Sequence, residues 1–211
     1  MPQAIAFDLD GTLIDTESLH AESQRRTLEA FGIHGLPPGH PRTFGMGLEP
    51  GVTRLSEFYD LDYQEAMDVY LPLWEHLAAT ELTPMPGARD LVQWFHTQKV
   101  PLALVTSADT GHAENSVAAL DVPGAFECIV LREMVSAMKP SPEPYLTAAE
   151  CLGVTPENMV AFKDSGAGVT SVLAAGMFCV GVHRDVQERP EMTAAQVKIR
   201  SLDEYCMRSS R

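Results

Sequence analysis

The chain has 211 residues, 45% of them hydrophobic and 21% charged, which fits one sizeable globular domain or a domain with a smaller insertion. Its 29 acidic residues outnumber 15 lysines and arginines, for a net charge of −14. That balance argues against nucleic acid and anionic membranes as partners, since both need a positive footprint, but allows a small phosphorylated molecule in a locally positive pocket.

The first predicted element is the apolar run Ala4-Ile5-Ala6-Phe7, which has the pattern of a fully buried strand. It leads into Asp8-Leu9-Asp10-Gly11-Thr12-Leu13-Ile14-Asp15-Thr16. If the strand continues, its period of two puts Asp8 and Asp10 on one face and Leu9 on the other. Two acids beside a glycine read either as a site or as an acidic strand end facing water.

Residues 17 to 31 read as a helix with Leu19, Leu28 and Phe31 among polar residues, and Pro37-Pro38-Gly39 marks a turn. After the Gly45-Met46-Gly47 turn, a short helix carries Val52, Leu55 and Phe58. From Gln64 to Thr80, apolar residues recur at helical spacing around Pro72, which is expected to kink or restart the helix. No stretch from 17 to 83 reads as a strand, so the block is taken as a small all-helical unit.

From residue 88 the rhythm alternates. Helices are predicted at 88–98, 110–120, 142–152 and 166–175; strands at 101–106, 128–130, 159–162 and 178–182. Apolar strands alternating with helices call for a parallel sheet with helices on both faces. The predicted architecture is therefore α/β, a Rossmann-like parallel sheet formed by residues 1–15 and 84–211, with an inserted all-helical domain at 16–83. Ligands of such sheets bind outside the carboxyl ends of the strands, so the residues just after each strand are the informative ones.

After the first strand stand Asp8 and Asp10; after the second, Thr106 and Ser107, hydroxyls that could cap a helix or donate to a phosphate. Lys139 lies in Met138-Lys139-Pro140-Ser141-Pro142, a rigid turn that opens a helix. Lys163-Asp164-Ser165-Gly166-Ala167-Gly168 follows another strand, with Ser165 a natural N-cap and Asp164 either a second cap or a third acid of the site.

The four cysteines, Cys128, Cys151, Cys179 and Cys206, show no paired spacing. Cys151 and Cys179 read as small core residues, and neither a disulfide framework nor a zinc site is expected. That cysteine usage, the lack of a signal-like N-terminus and the lack of a long apolar run give the expectation of a soluble cytoplasmic protein; it is taken as a monomer.

The run D-L-D-G-T-L-I-D-T-E, the hydroxyl after strand two, the K-P-x-P turn and the D-S-x-x-G segment ahead of Ala174-Ala175-Gly176-Met177 together resemble the haloacid dehalogenase superfamily. More narrowly they resemble its phosphatases and β-phosphoglucomutases with a helical cap. The resemblance spans about Ala4 to Val182 and implies that the helical block is that cap, whose movement admits substrate and excludes water. It implies Asp8 as the nucleophile that takes the phosphoryl group, and Asp10 as the acid and base. It further implies Thr106 and Ser107 on the phosphoryl oxygens and Lys139 as charge neutraliser. Mg2+ would be held by Asp8, the carbonyl of Asp10 and Asp164. His20 and Arg54 are the candidate substrate contacts of the cap. The other histidines, His112 among them, have no motif and are expected in surface or packing roles.

Lys163 departs from the pattern, because members of this group commonly carry an acid there. Two unit charges about 4 Å apart interact by roughly 4 kcal/mol at an effective dielectric near 20, and a divalent ion doubles that. An ammonium aimed at the metal would weaken its binding, so Lys163 is expected to turn its head to water along its flexible stem. On that basis Lys163→Glu is expected to tighten Mg2+ binding. The function implied is Mg2+-dependent hydrolysis of a small-molecule phosphate ester such as a sugar phosphate. The alternatives are a β-phosphoglucomutase-like phosphotransferase and a non-catalytic phosphate-binding or regulatory protein.

Overall fold

The computed structural model describes residues 2–43 and 46–209, and at 206–209 the backbone alone. Gly45 of the glycine turn and the Cys206 side chain therefore lie outside the described residues. Contacts divide the chain into two compact units, Met1–Ile14 with Thr83–Arg211, and Asp15–Leu82.

The first unit is built on a six-stranded sheet: β1 (Ala4–Phe7), β2 (Leu102–Val105), β3 (Cys128–Val130), β4 (Met159–Lys163), β5 (Phe178–Val182) and β6 (Val197–Ile199). The order is β3-β2-β1-β4-β5-β6 and every pairing is parallel. The order reverses between β1 and β4, the switch point at which a crevice opens beyond the carboxyl ends of the strands.

Alternation along the strands sorts the core into two faces. Ala4, Ala6, Ala103, Val105, Met159 and Ala161 pack with Tyr145, Ala148, Val169 and Val172 of the helices α6 (Glu143–Leu152) and α7 (Gly166–Ala174). Small side chains on this face leave room for close helix approach. On the other face Phe7 stacks on Phe162, with Phe95 and Tyr205 edge-on or tilted against them. Those last two belong to α4 (Ala88–Thr97) and α8 (Leu202–Ser209). Between β2 and β3 runs α5 (Thr110–Leu120). Neither β6 nor α8 is read from the sequence. β6 is three residues with Lys198 in the middle, too short to show a period.

The second unit contains α1 (Thr16–Ala30), α2 (Leu48–Tyr59) and α3 (Tyr63–Thr80) and, among its described residues, no strand. Asp15 caps α1 by accepting from the Ser18 N–H at 3.1 Å, and Asp62 caps α3 through the Glu65 N–H at 2.9 Å. Val52, Ala66 and Tyr70 form its buried centre, with Phe31, Met67 and Trp74 packed around them. Pro72 lies inside α3, which continues through it to Thr80. Among the described residues, no helix is long and apolar enough to cross a membrane.

The cysteine expectation is corrected. Cys128 and Cys151 are joined by a disulfide, their Cα atoms 6.2 Å apart, and Cys151 is exposed on α6 rather than in the core. β3 and α6 pack on each other, which brings the two residues within the range a disulfide spans. The cysteines therefore no longer argue for a reducing compartment. Cys179 is free and buried, as expected.

Candidate active site

The site residues gather at the carboxyl ends of β1, β2 and β4. Parallel pairing sets Phe7 level with Phe162, and the Asp8 N–H donates to the Phe162 carbonyl at 3.1 Å. Asp8 therefore stands beside Lys163, and both continue the face lined by Ala6 and Ala161. The strand itself stops at Phe7, so a shared strand face does not explain how Asp10 is placed. A tight loop does: the Thr12, Leu13 and Ile14 N–H groups all donate to the Leu9 carbonyl. Gly11 closes this loop at φ +71°, and a Cβ there would land on the Asp164 carboxylate. Both the backbone and the close approach require glycine.

Asp8 is 3% exposed and held from two sides. The Lys139 ammonium donates to its Oδ1 at 2.5 Å and to the Val105 carbonyl at 2.8 Å. Lys139 also stands 5.5 Å from the centroid of the Tyr145 ring, whose burial pushes that phenol well above its ordinary range. Burial pushes Lys139 down to about 8, against the pull of the Asp164 and Asp10 charges.

The second cation on Asp8 is Lys163. Its ammonium contacts Asp8 Oδ2 and donates to Asp164 Oδ1 at 2.8 Å. Lys163 is 5% exposed, so the expectation that its head turns to water is corrected. The reason lies in α7. The lysine stem runs across Gly168, where a Cβ would collide with Cγ, Cδ and Cε. The head then answers two buried carboxylates, which repel each other and are costly to bury unpaired. Asp164 is thus an ion-pair partner, not a helix cap; Ser165 holds the cap position of α7 without a side-chain hydrogen bond.

Asp10 is the more open acid, its side chain 37% exposed. His112 Nε2 lies 2.8 Å from its Oδ1, and the Thr106 hydroxyl lies 3.4 Å from its Oδ2. The surface or packing role expected for His112 is corrected. Asp109 caps α5 by accepting from the His112 N–H at 2.9 Å, which fixes this first-turn histidine where it reaches the loop after β1. Burial lowers the His112 pKa, but the hydrogen bond and charge of Asp10, with the charge of Asp109, outweigh it and leave the imidazole raised. Thr106 is not a helix cap; its hydroxyl accepts from the Ala108 N–H at 3.0 Å. Ser107, next to it, is exposed.

The fold thus brings together Asp8, Asp10, Thr106, Lys139 and Asp164, and adds Lys163 and His112. His20 and Arg54 belong to the helical unit. His20 Nδ1 lies 2.5 Å from the Tyr70 hydroxyl and its ring stacks on Trp74 at 3.8 Å, while Arg54 is exposed on α2.

The Mg2+ expectation meets an obstacle in this donor set. Asp8 and Asp164 are the two carboxylates that would share the ion, and the Lys163 ammonium already engages an oxygen of each. The residues therefore do not fit a resident Mg2+, although the superfamily of the sequence resemblance generally uses one. Chemically, the site offers a buried carboxylate flanked by two ammonium groups, with a second, more accessible carboxylate beside a hydroxyl and an imidazole.

The sequence profile of haloacid dehalogenase-like hydrolases matches residues 5–182. The chain is 31% identical over 185 residues to the phosphorylated carbohydrates phosphatase of Thermotoga maritima, covering 83% of this chain and 82% of that protein. It is 33% identical over 203 residues to hexitol phosphatase A of Escherichia coli, covering 94% and 90% of the two. Among solved structures, CbbY from Rhodobacter sphaeroides in complex with phosphate superposes at a TM-score of 0.74 with 28% identity, covering 97% of this chain and 96% of that one.

Proposed function

The chain belongs to the haloacid dehalogenase-like hydrolases, and we propose that it is a phosphatase that cleaves a small phosphorylated carbohydrate through a phosphoaspartyl intermediate on Asp8. The observation that carries this reading is the pairing of two unlike acids. Asp8 is buried between two ammonium groups, whereas Asp10 is half-open and hydrogen-bonded to His112. Phosphoryl transfer needs a positioned nucleophile, charge stabilisation around the phosphoryl oxygens, and a proton for the leaving group. The two acids divide those tasks. Two relatives named as phosphatases, one of phosphorylated carbohydrates and one of hexitols, support the choice of substrate class.

In the first step a carboxylate oxygen of Asp8 attacks phosphorus, the bond from phosphorus to the ester oxygen breaks, and protonated Asp10 gives its proton to the departing alcohol. In the second step water attacks phosphorus while Asp10 takes a proton from it. The bond between Asp8 and phosphorus then breaks, and inorganic phosphate and the Asp8 carboxylate are restored. Lys139 and the Thr106 hydroxyl stabilise the negative charge that gathers on the phosphoryl oxygens. All of this chemistry is assigned to the α/β unit.

A phosphate-release screen over sugar, hexitol and nucleotide phosphates, run beside Asp8→Asn, tests the reading. Release by the wild-type protein and none by the variant is expected; equal rates would remove Asp8 from the nucleophile role. With glucose 1-phosphate, free phosphate is the expected product, and conversion to glucose 6-phosphate would assign a mutase instead.

A further inference from the structure

We propose that Lys163 is the resident cation of this site: a tethered ammonium that joins Asp8 to Asp164 in place of a divalent metal, so that phosphoryl transfer on Asp8 runs without a bound metal ion. The inference rests on the phosphatase reading for its activity arm and on geometry alone for its binding arm.

Four observations carry it. The Lys163 ammonium touches an oxygen of each buried carboxylate, Asp8 Oδ2 and Asp164 Oδ1. A metal ion and an ammonium cannot share those oxygens, because like charges at ligand distance repel strongly in a low-dielectric site. The head has little freedom to withdraw: its side chain is 6% exposed and its stem fills the space that the missing Cβ of Gly168 leaves. Finally, the buried charges balance without a metal, two carboxylates from Asp8 and Asp164 against two ammonium groups from Lys139 and Lys163. A divalent ion added to that set would leave an uncompensated buried charge, which is costly.

Lys163 takes no part in proton transfer, which is left to Asp10. As the bond between Asp8 and phosphorus forms, negative charge moves from the carboxylate to the phosphoryl oxygens, and both ammonium groups remain beside it. A covalently attached cation also needs no supply of free metal, so turnover does not depend on metal concentration.

The test uses the full chain with Mn2+ alone as the binding probe, followed by calorimetry and by the electron paramagnetic resonance of the ion. It compares wild type with Lys163→Met, which keeps the stem and removes the charge, and with Lys163→Glu, which adds an acid. Circular dichroism checks that each is folded. The wild type is expected not to bind millimolar Mn2+, and both folded variants are expected to bind it. In the activity arm, wild-type turnover is expected to survive excess EDTA and gain nothing from Mg2+. Lys163→Met is expected to lose about 100-fold in metal-free turnover, the loss that follows removal of one charge-stabilising donor.

Mn2+ binding by the wild type, EDTA-sensitive turnover, or failure of both folded variants to bind Mn2+ would each overturn the inference. If the wild type turns over no phosphoester at all, the phosphatase reading fails, and the Mn2+ titration still decides whether Lys163 holds the cation position. If only one variant folds, its titration against wild type gives the same decision.

Discussion

His112 Nε2 lies 2.8 Å from Asp10 Oδ1, joining the first turn of α5 to the loop after β1 across 102 residues of sequence. The contact orients the acid assigned to protonate the leaving group, so His112 is a positioning residue. His112→Gln is expected to lower kcat by about tenfold with little change in KM, a fraction of what acid–base catalysis contributes. The same pair predicts a pH effect on stability. The folded His112 pKa lies above its unfolded value near 6.5, so its stabilisation is fully present below that pH and is lost as pH rises through the higher folded value. The difference in unfolding free energy between wild type and His112→Gln, measured in denaturant at several pH values, is expected to shrink as pH rises above about 6.5.

Lys139 sets a second pH dependence. Burial pushes its ammonium down to about 8, and only the charged form can pair with Asp8 as a cation and, in the proposed role, neutralise a phosphoryl group. The kcat/KM profile is therefore expected to fall above about pH 8. This limb is expected to persist in His112→Gln, which separates it from titration of the imidazole; a flat profile to pH 10, roughly the range of an unperturbed lysine, would contradict it.

Gly168 tests how Lys163 is held. A Cβ at position 168 would occupy the path of the lysine stem, so Gly168→Ala is expected to expel Lys163 from the site. Alanine favours a helix over glycine by about 1 kcal/mol, so the helix itself is not weakened. The expected outcome is faster modification of Lys163 by an amine-selective reagent, read by mass spectrometry, with phosphatase turnover reduced by about tenfold or more.

The Cys128–Cys151 bridge closes a segment of sequence separation 23, for which loop-closure entropy gives a stabilisation of about 3 kcal/mol. Cys151→Ser is expected to unfold at lower denaturant concentration by about that free energy. Dithiothreitol is expected to lower the midpoint of the wild type towards that of the variant and to leave the variant unchanged.

Much of this organisation is legible before folding. The buried runs at Ala4–Phe7, Leu102–Val105 and Met159–Lys163 contain few polar residues, and the helices between them end at glycines or turn residues. That alternation forces a parallel sheet and sends Asp8, Asp10, Thr106 and Asp164 to one edge of it. β6 and α8 escape such a reading because three residues, two half-buried and one buried, are too few to show a period, and the partners of α8 in α4 lie far away in sequence. The parallel register also held a usable signal for Lys163. A strand period of two puts it on the face of Ala161, beside Asp8 on the face of Ala6, but only once β1 and β4 are known to be neighbours.

The sequence by itself determined the class of fold and the residue types at the strand ends, because hydrophobic period and turn chemistry are local properties. The tertiary structure decided what those residues touch. Burial of Lys163 over Gly168 turned an expected solvent-facing lysine into the partner of two carboxylates. The start of α5 brought His112 to Asp10, and the packing of α6 on β3 joined two cysteines. Each outcome depends on distances between residues remote in the chain, and on the cost of burying charge without a partner.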